Sequence, residues 1–509
     1  MINRRDLMRL GAMAGLGAAV NNLNSMEAEA GNISGSGADS EYDKYDALGL
    51  AALIAGKKIS PAELLDAVRR RVESVNPKIN GFSQLFFDKA EEQIKKGLPD
   101  GPFRGVPFAL KDLGQYLTGT VTSAGSRVWK NSVAGYDSTL VQRYKKAGLV
   151  IFGKTTSPEL GLTTTTESVL YGKTRNPWNL ERTSGGSSGG SSAVVSSRII
   201  PMAHASDGGG SIRVPASCCG LFGLKPTRGR VPLGPSQFEG WNGFSVHHAL
   251  TISVRDCAAL LDATVGAELG SPYFSPPPSR PLLKEVGSDP GKLRIALVPE
   301  WPNIPLHDEC RKAVTDTARL CESLGHKVEL AKLPLDFNML RDTFLTIFYV
   351  SIARVIEDAA TALGRPVTDK DVENVTWATY QGGRAVNPLA YSRAISNSHQ
   401  VGLAMAKFMQ EYDLVLSPTL AKPPVPLGVL ALSTENIPQY GKDVTEFSPY
   451  TSLYNVTGQP SMSVPLHWTA DGLPVGSMFS GRFGDEATLL RLASQLEKAR
   501  PWANRRPAI

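Results

Sequence analysis

The sequence predicts an α/β protein with one large domain, built around a mixed, mostly parallel central sheet covered by helices on both faces. The first supporting observation is that short apolar strands alternate with helical stretches along the chain. The second is composition: 42% of the 509 residues are hydrophobic and 20% are charged, which supports a sizeable core and excludes wholesale disorder. Average domain size would suggest about three domains, but large α/β enzymes often build one sheet from a long chain.

The first predicted helix is recognised by the residues at its two ends. Ser60-Pro61-Ala62-Glu63 predicts a helix start, because serine caps the helix, proline fits its first turn and glutamate completes a capping box. Apolar residues at helical spacing continue to Asn76-Pro77, where we expect the helix to end. Further along, apolar runs predict strands over 106–110, 149–152, 293–298 and 414–416, and amphipathic patterns predict helices over 139–147 and 308–324.

The N-terminal residues have the pattern of an export signal. A charged segment containing Arg4-Arg5 precedes a weakly hydrophobic run, and Ala28-Glu29-Ala30 offers a small-x-small cleavage site, although the cleavage point itself stays open. The paired arginines indicate the twin-arginine route, so we expect a periplasmic or secreted protein. A frayed N-terminal helix is the alternative. The predicted organisation is a signal peptide over 1–30, a flexible leader over 31–44 and a folded domain over 45–509.

Composition and motif content argue against several other classes of function. The chain has no run of 18 or more apolar residues, so no membrane-spanning helix is predicted. The net charge of +6 is small and no basic run is interleaved with aromatic residues, so we expect no nucleic-acid partner. The five cysteines are too scattered for a disulfide scaffold, and neither CxxC nor HExxH occurs. We therefore expect no metal and no cofactor.

Two segments match the sequence pattern of a known motif, but their residues do not favour the local structure that the motif requires. The segment 148–155 matches the phosphate-loop pattern GxxxxGK[ST], but its intervening Leu, Val, Ile and Phe predict a buried strand instead of a flexible loop. The segment 185–189 matches GxSxG, the nucleophile elbow of α/β-hydrolases, but a polar stretch precedes it where an elbow requires an apolar strand. No histidine further along the chain stands out as the base of such a site.

Two Gly/Ser-rich turns and one lysine carry the strongest chemical signal. The first turn contains Ser187, and the second, Asp207-Gly-Gly-Gly-Ser211, places its serine 24 residues later. Glycines in such turns allow backbone N–H groups to approach a ligand closely. Flexible linkers are the alternative, but apolar segments join and follow both turns. Upstream, Lys111 ends an apolar strand; it can either extend to solvent or, if buried, act as a base with a pKa near about 7–8.

Together these segments resemble the amidase signature family, over about residues 45–503. Within the family the chain looks most similar to the branch of 6-aminohexanoate cyclic-dimer hydrolases, through looser matches that include Pro201-Met-Ala-His204. The segments that carry the family resemblance are 105–112, 153–155, Arg175-Asn-Pro-Trp-Asn179, 185–190, Asp207-Gly-Gly-Gly-Ser-Ile-Arg213, 223–229, 455–465 and 472–476.

The resemblance implies a hydrolase that cleaves a carboxylic amide bond with a Ser-cis-Ser-Lys triad. Carried over residue by residue, Ser211 would attack the carbonyl carbon and hold the acyl group, and Ser187 would pass the proton to neutral Lys111. The 24-residue spacing matches Ser187 and not Ser188, and the Gly186–Ser187 peptide would be cis. The backbone N–H groups expected to form the oxyanion hole are those of Gly208, Gly209, Gly210 and Ser211.

Other residues are expected to support this site. We interpret Asp207 and Arg213 as a structural pair that holds the second turn. The glutamine usual in the family's late GLPxGxQ segment is Met478 here, which leaves the support at that position open. Aromatic side chains in the variable segments suggest an apolar or aryl amide, although core packing explains each of them equally well. The candidate substrate contacts are Phe238, Trp241, Phe348 and Trp377.

Several alternative functions share this triad or this fold. Carbamate or ester hydrolysis would use the same triad and stays open. A glutaminyl-tRNA amidotransferase A-type subunit shares the fold, but an export signal argues against that cytoplasmic role. A catalytically inactive binding protein is disfavoured because Lys111, Ser187 and Ser211 are all present. The expected partner is a small-molecule amide, linear or cyclic, and the sequence leaves its identity and the existence of a homodimer open.

Overall fold

The computed structural model describes Tyr42 and residues 44–509; the predicted signal peptide over 1–30 and most of the leader over 31–44 lie outside the described residues. None of the described helices is long and apolar enough to cross a membrane. The described α-helices are α1 (Ala47–Ala55), α2 (Pro61–Ile79), α3 (Phe87–Lys95), α4 (Thr139–Lys146), α5 (Gly189–Ser196), α6 (Arg213–Cys219), α7 (Val254–Thr264), α8 (Asp308–Ser323), α9 (Phe337–Leu363), α10 (Asn374–Ala385), α11 (Pro388–Phe408), α12 (Ile437–Phe447), α13 (Leu453–Thr457) and α14 (Glu486–Ala499).

Helix α2 begins as its sequence predicts and ends later. The Ser60 hydroxyl accepts the N–H of Glu63 at 3.2 Å, and the Glu63 carboxylate accepts the N–H of Ser60 at 2.7 Å, so the capping box is confirmed. The predicted end at Asn76-Pro77 was wrong. Pro77 lies inside the last turn, and the helix continues until Asn80 adopts a left-handed conformation (φ 53°). Burial of Ile79 in the core favours the extra turn.

The strands form one large sheet, one small sheet and two ribbons. The large sheet has eight strands in the order β12-β11-β13-β15-β14-β9-β10-β8, and the small sheet has the order β1-β3-β2. The ribbons pair β4 with β5 and β6 with β7. The strands are β1 (Phe82–Leu85), β2 (Pro107–Lys111), β3 (Val150–Thr155), β4 (Glu167–Ser168), β5 (Gly172–Lys173), β6 (Arg175–Asn176), β7 (Asn179–Thr183), β8 (Met202–Asp207), β9 (Phe222–Lys225), β10 (Val246–Thr251), β11 (Arg294–Leu297), β12 (Lys327–Leu330), β13 (Leu414–Pro418), β14 (Ser461–Trp468) and β15 (Pro474–Ser480).

The directions of these strands correct one part of the predicted fold. The α/β class, the single domain and the mixed sheet are confirmed, but the large sheet is mostly antiparallel. Only β11 pairs in parallel, with β12 and with β13, whereas the other five neighbouring pairs are antiparallel. The prediction assumed that each helix between strands makes a parallel crossover. That holds for α8, which joins β11 to β12, but β14 and β15 are joined by a tight turn.

Helices cover both faces of the large sheet, as predicted. Along β13, Leu414 and Leu416 pack in one apolar cluster with α7, α8 and α14. The intervening Val415 points to the opposite face and packs in a second cluster with α9 and α11. Because side chains alternate between the faces of a strand, the two clusters must lie on opposite sides of the sheet. This burial on both faces accounts for the continuous apolar runs that marked the strands in the sequence.

One further sequence interpretation is confirmed. The segment that resembles a phosphate-binding loop forms β3, and all its residues from Val150 to Thr155 are buried. Its backbone groups belong to the small sheet and are not available to cup a phosphate. The cysteines of α8, Cys310 and Cys321, both lie on its buried face, and all five cysteines are buried free thiols.

Candidate active site

The site lies where the two sheets meet. Lys111 is the last residue of β2, the edge strand of the small sheet, and β8 is the facing edge strand of the large sheet. The Lys111 amine donates to Ser187 Oγ at 2.6 Å and to Ser206 Oγ on β8 at 3.0 Å. Both lysine and Ser187 are buried, whereas Ser211 is partly exposed. The buried amine therefore lies between the hydroxyls of Ser187 and Ser206, and Ser206 belongs to the strand that leads into the turn carrying the partly exposed Ser211.

Burial changes the acid–base character of Lys111. Desolvation lowers the pKa of its amine to about 7, against the opposing effect of the Asp207 carboxylate, which raises it. An unperturbed lysine would be almost fully protonated at neutral pH. A large fraction of Lys111 is therefore neutral near pH 7, and a neutral amine beside a hydroxyl can accept its proton.

The turn before α5 separates the roles of its two serines. The Gly186–Ser187 peptide is cis, as the family resemblance implied. Ser187 directs its hydroxyl to Lys111, whereas the Ser188 hydroxyl donates to the carbonyl of Ser206 at 3.3 Å. A Cβ at Gly186 would lie 2.3 Å from the carbonyl oxygen of Thr165, so only glycine fits there. The structure thus brings Ser187, and not Ser188, to the lysine.

The Gly208–Ser211 turn after β8 presents backbone N–H groups. No acceptor among the described residues takes the N–H of Gly209, Gly210 or Ser211. Gly210 has a positive φ of 141°, and a Cβ there would lie 2.3 Å from Thr451 Oγ1. The Thr451 hydroxyl donates to the carbonyl of Gly209 at 2.5 Å, which fixes the orientation of that peptide. The turn therefore holds unpaired donors beside Ser211, as an oxyanion hole requires.

A buried ion pair supports this turn, as interpreted from the sequence. Arg213 donates from Nε and Nη2 to the two carboxylate oxygens of Asp207, at 2.9 Å each. Asn455 completes the network: its Oδ1 accepts from Arg213 at 2.7 Å and its amide donates to Asp207 at 2.8 Å. Burial by itself would raise the pKa of Asp207, but Arg213 overcomes this and holds it at about 2. The sulfur of Met478 lies 3.6 Å from Arg213 Nη1.

Sequence reasoning missed three polar residues of the site: Ser206, Thr451 and Asn455. Ser206 immediately precedes Asp207, but nothing in its spacing distinguishes it from the neighbouring serines. Asn455 opens one of the late segments that carry the family resemblance, which is the signal that could have identified it. Thr451 lies four residues earlier and has no comparable signal.

Two of the four predicted aromatic contacts lie beside the turn. The Trp241 ring packs on Gly208, where a Cβ would lie 2.7 Å from it, and Phe348 meets this ring edge to face at 4.9 Å. Phe344, one helical turn before Phe348, packs on Gly209 in the same way. We call these three side chains, Trp241, Phe344 and Phe348, the aromatic wall. The contacts described for the other two candidates lie elsewhere: Phe238 packs on Gly270 and Trp377 on Tyr380.

No group of three or more His, Cys, Asp or Glu side chains in the described part of the chain is arranged to hold a metal ion. The three buried histidines nearest the site have lowered pKa values because of desolvation, with His247 at about 3 and His248 at about 4. The neutral amine of Lys111 is therefore the basic group that directly contacts a site hydroxyl.

Comparison with known proteins identifies the family to which this chain belongs. The amidase family model matches residues 63–490. The 6-aminohexanoate-cyclic-dimer hydrolase of Pseudomonas sp. (strain NK87) is 37% identical over 479 residues, which cover 91% of this chain and 96% of that protein. A solved 6-aminohexanoate cyclic dimer hydrolase superposes with a TM-score of 0.85 at 36% identity, covering 92% of this chain and 99% of that one. A bacterial aryl acylamidase of the amidase signature family superposes with a TM-score of 0.82 at 26% identity, over 90% and 97% of the two chains. Because the matches span nearly the whole folded chain, this protein belongs to the amidase signature family and is an enzyme that hydrolyses amide bonds.

Proposed function

We propose that this amidase forms an acyl-enzyme on Ser211, with Ser187 as proton relay and Lys111 as base. The observation that carries the proposal is the 2.6 Å hydrogen bond between the Lys111 amine and the Ser187 hydroxyl, made by a lysine whose pKa is lowered to about 7. A protonated lysine could only donate to that hydroxyl, whereas a neutral one can accept its proton. The partly exposed Ser211 is then the hydroxyl left to attack the substrate.

In the proposed reaction, Ser211 Oγ attacks the amide carbonyl carbon while its proton passes to Ser187 and the Ser187 proton passes to Lys111. The negative charge that develops on the carbonyl oxygen is stabilised by the N–H groups of Gly208–Ser211, where one donor contributes about 3 kcal/mol. The C–N bond then breaks, and Lys111 returns its proton through Ser187 to the departing amine. A water molecule then attacks the acyl-enzyme ester on Ser211 and gives its proton through Ser187 to Lys111. The ester bond breaks, the carboxylic acid is released, and the proton returns to Ser211 Oγ.

We propose that the substrate is an uncharged amide, linear or cyclic, with an apolar or aryl group beside the aromatic wall. Trp241 and Phe344 pack directly on the glycines of the turn, and neither ring is fully buried. An apolar group that packs there removes its surface from water, whereas a charged group would lose its hydration without a partner. The relatives named for a cyclic dimer and for aryl acylamides fit this class. Carbamates and esters of similar shape remain candidate substrates of the same triad.

We also propose that the enzyme acts outside the cytoplasm. The twin arginines, the weakly hydrophobic run and the Ala28-Glu29-Ala30 site support a cleaved signal peptide over 1–30, followed by a leader over 31–44. Twin-arginine export carries folded proteins, and the five buried thiols need no oxidising compartment for folding.

The experiment that tests the triad uses a fluorophosphonate probe, because the preferred substrate is not needed. We expect the wild-type enzyme to be labelled covalently at Ser211 and the Ser211→Ala variant to show neither labelling nor amide hydrolysis. Ser217→Ala is the matched control, since Ser217 lies in α6 and its hydroxyl accepts the N–H of Gly476. Labelling of Ser211→Ala at the wild-type rate would show that the nucleophile is a different residue.

A panel of substrates tests the proposed specificity of the same enzyme. We expect aryl amides and cyclic lactams to be hydrolysed with higher kcat/KM than peptide amides that carry a charged side chain. Carbamates and esters of matched shape belong in the panel, because they separate bond preference from recognition by the aromatic wall. A preference for charged amides over neutral ones of the same size would contradict the assignment of the wall.

A further inference from the structure

A second feature of the site is the junction between the two sheets, which we call the seam. The edge strands β2 and β8 lie side by side, but no backbone ladder pairs them in the described chain. Side chains of β8 make the connection instead. His204 Nδ1 accepts the backbone N–H of Lys111 at 3.1 Å, and Ser206 Oγ accepts from the Lys111 amine at 3.0 Å. His204 therefore takes the place that a carbonyl of the neighbouring strand would fill in a continuous sheet.

The hydrogen bonds around His204 require one form of its ring. A backbone N–H can only donate, so Nδ1 of His204 carries no proton. The ring proton is then on Nε2, which lies 2.9 Å from Nδ1 of His247 and donates to it. The His204 and His247 rings are nearly parallel, with an interplanar angle of 9° and centroids 5.1 Å apart, as an edge-to-edge N–H···N bond requires, and the edge of the Tyr144 ring contacts His204 at 6.1 Å. The Lys111 N–H on one side and His247 Nδ1 on the other thus require the neutral Nε2–H form of the His204 ring.

Charge on His204 would break this arrangement. A protonated imidazole has no acceptor for the Lys111 N–H and would place a cation next to the lysine. Complete burial lowers the pKa of His204 well below its ordinary value, and the nearby basic groups lower it further. The neutral form is therefore kept throughout the range in which Lys111 titrates. The titratable groups that face His204 are Lys111 on β2, His247 and His248 on β10, Lys154 on β3 and Tyr144 on α4, and Asp207 faces Lys111.

We propose that His204 is a positioning residue, whose neutral imidazole closes the seam and holds Lys111 in the buried position from which its amine reaches Ser187. The inference rests on the proposed role of Lys111 as base. Burial is the main cause of the low pKa of this lysine, so any opening that admits water should return its pKa toward that of free lysine. Loss of the His204 acceptor leaves the Lys111 N–H unpaired at the seam, and such a buried donor attracts water.

The test compares two amide variants of His204. In His204→Asn, the side-chain oxygen lies near the former Nδ1 position and can still accept the Lys111 N–H; in His204→Gln, it lies further out, near the former Nε2. Rates of fluorophosphonate labelling are measured from pH 5.5 to 9.5. If the pKa of Lys111 rises by one unit, labelling at pH 7 falls about fivefold and recovers fully above about pH 9. We expect this pattern for His204→Gln, and a wild-type profile for His204→Asn.

Other results would overturn the proposal. A loss of rate that is the same at every pH would mean that His204 only stabilises the fold, and equal profiles for both variants would mean that the position of the acceptor is irrelevant. If the variants do not fold, the proposal is tested on the wild-type enzyme by the ¹⁵N chemical shifts of its histidines. The proposal requires His204 to stay in its neutral Nε2–H form from pH 5.5 to 9.5, and a proton on its Nδ1 in that range would contradict it. Failure of the proposed base is recognised separately, since a Lys111→Met variant would then still be labelled at nearly the wild-type rate, with the wild-type dependence on pH.

Discussion

The pH dependence of the rate is the most direct consequence of a buried lysine base. At pH 7 an amine with the unperturbed pKa of 10.5 is neutral in about one molecule in 3,000, whereas an amine with a pKa of about 7 is neutral in about half. Burial thus increases the fraction of usable base by about 10³. Because only the neutral amine accepts the proton, the rate should rise about tenfold per pH unit below 7 and become constant above about 8.

Replacement of Lys111 by methionine tests this assignment. Methionine keeps much of the apolar volume of the lysine stem but has no proton acceptor, so kcat/KM and the rate of fluorophosphonate labelling should fall by about 10²-fold or more. The remaining activity should also lose its dependence on pH near 7. Both quantities are measured from pH 5.5 to 9.5 on protein whose folded fraction is checked by circular dichroism.

Lys154→Met is the matched control for this experiment. Lys154 is also buried at the end of a strand of the small sheet, and desolvation lowers its pKa to about 8. Its amine donates to the carbonyl of Val121 and to the Thr122 hydroxyl, so it has no part in the triad. We expect this variant to lose stability but to keep the rise in rate near pH 7. A Lys111→Met enzyme with more than a tenth of the wild-type rate would refute the Ser-Ser-Lys mechanism.

Three further predictions concern the oxyanion turn, its support and the export signal. Gly208→Ala should lower kcat/KM about tenfold or more by displacing Trp241, while Gly441→Ala, which has open space, should not; equal activities would contradict this. Asp207→Asn should reduce the free energy of unfolding in urea by about 3–5 kcal/mol, because it leaves the Arg213 guanidinium buried without its partner; a loss under about 1 kcal/mol would contradict it. Lysines in place of Arg4-Arg5 should block export in a cell-fractionation assay, and normal periplasmic accumulation would exclude the twin-arginine route.

The elements that local patterns predicted lie within a few residues of their observed bounds. The strand expected over 106–110 is Pro107–Lys111, and the helix expected over 308–324 is Asp308–Ser323. These succeed because apolar periodicity and end signals act within one element. The same locality explains why both serine turns could be found, since each is marked by its own run of glycines and serines.

Features that depend on topology could not be predicted in the same way. The direction of each strand is set by which strand it meets in space, so the antiparallel majority of the large sheet was not visible from the alternation of helices and strands. The same is true of Thr451, which holds the turn from more than 200 residues away, and of Phe344, which reaches Gly209 from α9. Their sequence neighbourhoods carry no signal of those contacts, because the contacts exist only after the chain has folded.

The lysines show why burial by itself does not identify a base. Lys111, Lys154 and Lys225 each lie at or near the end of an apolar strand, and desolvation lowers the pKa of all three. The pKa of Lys225 is well below its ordinary value, yet its amine donates to the carbonyl of Pro226, which has no proton to give. Lys111 differs because the group it faces is the hydroxyl of Ser187, which has a proton to give. A base is therefore identified by the acidic proton within its reach, and a lowered pKa matters only once that proton is present.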